Sequence, residues 1–166
     1  MYCLPSGTPR AYTAPLPFEI VQVPGRFYMI FQTTPLVRYI YADGRDHPEG
    51  FPATFMGNSI GKWDGDTLVV DTVAIDATSW LDTAGTPHSD ALRVVERIRR
   101  SDPATLEIDF LFEDTKAFTR PWRGKKLFRL DPSWEMIPGV ICEDRFRAAF
   151  ARRSLRDEKD WIEFGK

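Results

Sequence analysis

The stretch His88-Ser89-Asp90-Ala91-Leu92-Arg93-Val94-Val95-Glu96-Arg97-Ile98 holds the densest set of residues able to move a proton. In an extended strand, alternate side chains share a face. His88, Asp90, Leu92, Val94, Glu96 and Ile98 then fall on one face, and Arg93, Val95, Arg97 and Arg99 on the other. The apolar members turn the first face inward, with Glu96 between Val94 and Ile98 and with Asp90 and His88 nearer the rim. An inward carboxylate is costly unless it is paired or neutral. Two readings follow. Either Glu96 or Asp90 is a general base with His88 as partner acid, because burial and neighbouring charge tune such groups for proton transfer. Or Glu96 is half of an internal salt bridge, to Arg45 or Arg38.

A second cluster is Asp43-Gly44-Arg45-Asp46-His47-Pro48. It reads as an exposed loop whose Asp43 bonds its own backbone, or as a rim where Arg45 or His47 holds a substrate oxygen. His47 and His88 are the only histidines, and each has acids and an arginine close by. Two histidines with one or two carboxylates suit a metal, but there is no i, i+2 His pair and no H-E-x-x-H, so no metal is expected. The third cluster runs from Trp63 through Asp64-Gly65-Asp66 to Asp71-Thr72. Trp63 reads as core, as a barrel-end plug or as a pocket wall. Asp71 shares a face with Thr67, Val69 and Val73, and that face could point either way. Trp80, in the connection 76–87, is a further candidate wall.

Other chemistries find little support. Gly57-Asn58-Ser59-Ile60-Gly61 departs from G-x-S-x-G, and no strand-to-helix elbow is predicted there. There is no phosphate loop or dinucleotide fingerprint, so no cofactor is expected. Cys3 and Cys142 form no C-x-x-C; they are either a separated reduced pair or one disulfide tying the N-terminal arm to the last strand.

The elements that must position these residues are β-strands. Phe18–Val23, Arg26–Gln32 and Leu36–Tyr41 read as a three-strand meander punctuated by Pro24-Gly25, Thr33-Thr34-Pro35 and Asp43-Gly44. Strands follow from Thr54 towards Trp63 and from Asp66 to Ile75, with Asp64-Gly65 as a hairpin signal. His88–Arg100 and Thr105–Asp114 form the clearest pair. In the second run Leu106, Ile108, Phe110 and Phe112 alternate with Glu107, Asp109 and Glu113, apart from Leu111. Further strands are predicted at Lys125–Leu130 and Trp134–Cys142. Phe146, Ala149, Phe150 and Arg153 follow helical spacing, with Asp144 as a cap. The expected fold is all-β: a single domain over 1–166, a lipocalin-like up-and-down antiparallel barrel of eight or nine strands. An extended arm over 1–16 precedes it and a helix over 143–160 follows.

Composition bounds the function. The chain has 166 residues, 43% hydrophobic and 13% aromatic, and a formal net charge of −2. That balance gives no reason to expect a nucleic acid or an anionic membrane as partner. Acids lie among the basic groups at Arg97, Arg99 and Arg100, and near those at Arg152, Arg153 and Arg156, so both read as solvated faces. No apolar run approaches the ~18 residues of a membrane span, and residues 1–10 do not read as a signal peptide. A homodimer stays open.

The chain resembles a family of uncharacterised bacterial proteins. The likeness is carried by Cys3-Leu4-Pro5-Ser6-Gly7-Thr8-Pro9-Arg10, Pro17-Phe18-Glu19-Ile20-Val21-Gln22, Asp43-Gly44-Arg45-Asp46-His47-Pro48, the run from Met56-Gly57-Asn58 to Val70-Asp71-Thr72, and Pro87-His88-Ser89-Asp90-Ala91-Leu92. It spans residues 3 to 144 or so, and the tail after Asp144 departs from it. The resemblance implies an exported, periplasmic protein with a longer N-terminal part, of which this chain would be a trimmed form. It supplies motifs without roles.

The leading expectation is a cofactor-independent enzyme of isomerase, cyclase or lyase type. It would act on a hydrophobic aromatic or polycyclic molecule in the barrel, with Glu96, His88 and Asp90 as catalytic groups. Arg45, His47, Asp43, Asp71, Trp63 and Trp80 would contact the substrate. The rivals are a non-catalytic lipocalin-like binding protein and an interaction domain with a filled interior. The acids discriminate. Acids lining an open cavity beside a histidine favour the enzyme. Acids fully paired to arginine in a closed interior favour a structural role. An apolar cavity with every acid outside it favours the binding protein.

Overall fold

The structure is a computed structural model and describes residues 5–34 and 36–137. Its eight strands are β1 (Phe18–Val23), β2 (Arg26–Phe31), β3 (Val37–Tyr41), β4 (Asn58–Asp64), β5 (Thr67–Val73), β6 (Arg93–Asp102), β7 (Thr105–Glu113) and β8 (Trp122–Arg129). They form one sheet in sequence order. The sheet curls into a half-barrel. The curl brings Phe18 of β1 within 4.8 Å of Phe128 of β8, ring centroid to ring centroid. The only helical element among the described residues is a short 3-10 turn at Arg10–Thr13.

Local sequence explains the tight turns. Val23 pairs with Arg26 across Pro24-Gly25, and Asp64 with Thr67 across Gly65-Asp66. Gly25 and Gly65 take φ of 71° and 61°, the left-handed conformation that such loops require and glycine adopts freely. Alternation sets the inward face. Val94, Glu96 and Ile98 of β6 and Ile108, Phe110 and Phe112 of β7 are buried, whereas Arg93, Arg97 and Arg99 point out.

The chain departs from a pure up-and-down order at one joint. β3 and β4 pair in parallel, through Ile40↔Ser59 and Tyr41↔Ile60. The connection 42–57 is long enough to carry the chain back to the starting end of β3. Its return is anchored at two places. Thr8 donates its N–H to the Phe55 carbonyl at 2.9 Å, and Gly7 lies so close that a Cβ there would sit 1.9 Å from the same oxygen. Gly57 takes φ of 67°, and a Cβ on it would lie 2.7 Å from the Val73 carbonyl. The strand expected from Thr54 therefore starts at Asn58, leaving Thr54 one isolated bridge to Ile75.

Other boundaries differ from expectation as well: β8 begins at Trp122 and not at Lys125. β6 begins at Arg93 and not at His88. The cause is a turn: Ser89 sends its N–H and hydroxyl to Asp114 at 2.7 and 2.6 Å, and its own carbonyl accepts from Leu92. Trp134–Ile137 is not a strand. The rest of that expected strand, the helix expected over 143–160, Cys3 and Cys142 lie outside the described residues.

Candidate functional site

The barrel interior is occupied. Arg38 of β3 and Glu96 of β6 are fully buried and paired. Arg38 Nη1 donates to Glu96 Oε1 at 2.9 Å, and its Nη2 donates to Oε2. The remaining donors of the guanidinium are also used. Nη1 reaches the Tyr12 hydroxyl at 2.6 Å, Nη2 the Thr72 hydroxyl at 2.8 Å, and Nε the Ser59 hydroxyl at 3.1 Å. Ser59 and Thr72 face each other in the β4–β5 register and lie 3.0 Å apart. Burial alone would lower the Arg38 pKa, but the Glu96 charge, Tyr12 and the hydrogen bonds to both together outweigh it, so the guanidinium stays charged. Burial drives the Tyr12 phenol well above its ordinary value and keeps it a neutral donor. The result is a charged pair with its hydrogen bonds satisfied, the condition for tolerating buried charge. Both Glu96 oxygens accept from Arg38, and the side chain is fully buried.

The other expected catalytic residues lie elsewhere. His88 and Asp90 do not share a strand face with Glu96 as expected, because the turn at Ser89 breaks the alternation before β6 begins at Arg93. Asp90 is out in solvent and pairs with Lys116 at 2.6 Å. His88 is buried, with Nδ1 donating to the Ser89 carbonyl at 2.9 Å and Nε2 2.8 Å from the Ser79 hydroxyl.

Asp43, Arg45, His47 and Asp71 do not line the interior either. Arg45 clasps Asp43 and lies over the Tyr41 ring, 4.2 Å from its centroid. The hydrogen bonds from Arg45, chiefly those of its side chain, hold the Asp43 carboxyl below the usual range. Asp71 takes the outer face of β5, where Arg93 grips it through Nε and Nη2 at 2.9 and 2.8 Å and also reaches Glu113 at 2.8 Å. His47 lies beside this outer cluster. Its Nδ1 is 2.6 Å from the Asn58 amide oxygen, and its Nε2 is buried without a hydrogen-bond partner, 3.8 Å from Asp71. Among the described residues, no group of three or more His, Cys, Asp or Glu is placed to hold a metal. Trp80 lies under the arm, with the Arg10 guanidinium 5.1 Å above its ring.

Trp63 is the expected site residue that borders open space. A hollow of about 420 Å³ is lined by Gln22 to Phe27, Ala42 and Trp63. It lies at one end of the half-barrel, where the β1–β2 turn meets the ends of β3 and β4. Trp63 pairs with inward-facing Leu68, so it shares the interior face, yet its position beyond the end of β3 leaves it 56% exposed. Phe27 packs edge-on against it at 6.0 Å. Gln22 stands opposite Phe27 on β1. Among the described residues, no acid and no histidine lines this hollow. Tyr12, Ser59, Thr72, Gln22 and Phe27 escaped the sequence reading as site or plug residues. For Ser59 and Thr72 a signal existed: each has the parity of an inward position beside Gly61 and Val70.

Compared with known proteins, the chain matches no protein-family model, no curated protein and no solved structure.

Proposed function

We propose that this chain is a non-catalytic small-ligand-binding β-domain whose ligand sits in the hollow at the end of the half-barrel, against Trp63. One observation carries the reading: an exposed indole borders a hollow whose lining, among the described residues, holds no acid, while the fully buried carboxylate Glu96 is paired through both oxygens with Arg38. Small-molecule sites favour barrel mouths, aromatic walls and a few polar groups. Trp63 and Phe27 supply the walls, and the Gln22 amide supplies a donor and an acceptor. The ligand class is a hydrophobic molecule with a flat ring and a polar edge.

The test is a fluorescence titration of the protein with aromatic, terpenoid and steroid-like compounds, in wild type and Trp63→Ala, with each compound recovered afterwards. Saturable quenching that disappears in Trp63→Ala, with the compound recovered unchanged, supports the reading. A compound returned chemically altered, or binding that persists unchanged without Trp63, overturns it.

A second reading keeps proton-transfer catalysis but moves it to the outer face. It is favoured by the unpartnered His47 Nε2 beside Asp71 and Arg93. It predicts turnover that His47→Gln abolishes and Trp63→Ala does not.

A further inference from the structure

We propose that the edge of β8 left unpaired among the described residues is a docking site for an extended acidic peptide segment, which adds to the sheet as a further strand in the seam between β8 and the N-terminal arm. β8 ends the sheet and, among the described residues, pairs with β7 alone. Leu130 donates its N–H to the Ala104 carbonyl at 2.7 Å, which fixes the phase of the ladder. By antiparallel alternation, Trp122, Gly124, Lys126 and Phe128 direct their main-chain groups to β7. Arg123, Lys125, Leu127 and Arg129 direct theirs to the open side. An incoming strand would satisfy that row, the mode of recognition in which main-chain bonds give affinity and alternate side chains give specificity.

The seam has space and an apolar floor. A hollow of about 510 Å³ lies between Tyr12–Leu16 of the arm and Lys125–Phe128 of β8. The rings of Tyr12, Phe18 and Phe128 pack together beside it. Leu16 and Leu127 are 43% and 63% exposed at its rim.

Charge selects the occupant. Arg123, Lys125, Lys126 and Arg129 make half of β8 basic. Lys125 is held by Glu107 and Asp109, and Lys126 donates to the Tyr12 carbonyl. Arg123 and Arg129 form no ion pair among the described residues. Basic side chains on an edge deter pairing with a like edge, so two β8 edges repel each other. An acidic strand converts the same charges into attraction.

The experiment uses the full chain and two labelled seven-residue peptides, one alternating Val with Glu and one alternating Val with Lys, read by fluorescence anisotropy. The acidic peptide is expected to bind saturably, and to weaken about tenfold or more at high salt as the exposed charges are screened. Leu127→Pro removes an N–H on the open side, where proline is tolerated, and should abolish binding while the circular dichroism stays native. Should that variant unfold, the double variant Arg123→Glu with Arg129→Glu carries the test, since it should prefer the lysine peptide. Four results overturn the proposal: neither peptide binds, both bind equally, the reversed variant still prefers the acidic peptide, or the chain self-associates through an edge that Leu127→Pro blocks.

Discussion

Arg38 and Glu96 come from strands that are not neighbours, β3 and β6, and join across the inside of the half-barrel through both guanidinium Nη groups. The pair ties the two halves of the curl together, with Tyr12 from the arm, Ser59 from β4 and Thr72 from β5 completing its hydrogen bonds. Removing one partner leaves the other charged in a closed interior, which typically costs about 3–5 kcal/mol. Glu96→Ala and Arg38→Ala should each lose stability of that order in chemical denaturation. Arg38→Met combined with Glu96→Leu should recover much of the loss, because apolar replacement of a buried pair is often neutral. A double variant less stable than either single variant would mean that the pair cannot be replaced by packing.

Asp114 predicts an acid-range effect. It is buried, and burial alone would raise its pKa; hydrogen bonds from Ser89, Ala117 and Lys116 outweigh that and hold its carboxyl below the usual value. A carboxyl depressed in the folded state stabilises the fold above its unfolded pKa and loses that contribution as pH falls through the lower folded value. Wild type should therefore weaken as pH falls below the ordinary carboxylate range. Asp114→Asn should be less stable near neutrality and should show a shallower acid decline. Thermal melts across pH 2–7 would check this, and parallel curves for the two proteins would refute it.

Gly57→Ala should destabilise by roughly 1–3 kcal/mol, the scale for a residue forced into a sparsely populated backbone region. The positive φ and the 2.7 Å approach to the Val73 carbonyl both oppose a Cβ. Gly44→Ala has a positive φ but nothing within 4 Å of the added atom, so its loss should be smaller. Equal losses would mean that crowding against β5 contributes nothing.

The outer ion pairs should matter little. Arg93 bridges Asp71 and Glu113 but is 47% exposed in its side chain. Arg93→Gln should cost no more than about 1 kcal/mol, and less at high salt. A larger loss that is insensitive to salt would show that His47 and Asn58 depend on this network for their own packing.

Much of the fold was legible in the sequence because half-buried strands alternate with period two. β1, β2, β3, β5 and β7 fall within a residue or two of their expected bounds. The inward parity of Glu96 between Val94 and Ile98 was legible for the same reason, as was Arg38 as one of two candidate partners. The alternation failed at His88 and Asp90. There, side chain-to-backbone bonds through Ser89 and Asp114 override the strand, and a pattern of apolar positions carries no record of such bonds.

By itself, then, the sequence determined the all-β class, the tight turns at Gly25 and Gly65, and which side chains could point inward. Those properties depend on neighbours along the chain. Only the tertiary structure decided what the inward residues meet. The parallel β3–β4 joint gathers Trp63, Phe27 and Gln22 at one end; an antiparallel joint would have sent Trp63 to the other. The closing curl brings Arg38 to Glu96, so the inward carboxylate meets a buried guanidinium. Both outcomes depend on strand direction and sheet curvature, which arise from contacts between residues far apart in sequence and leave no periodic trace in either strand.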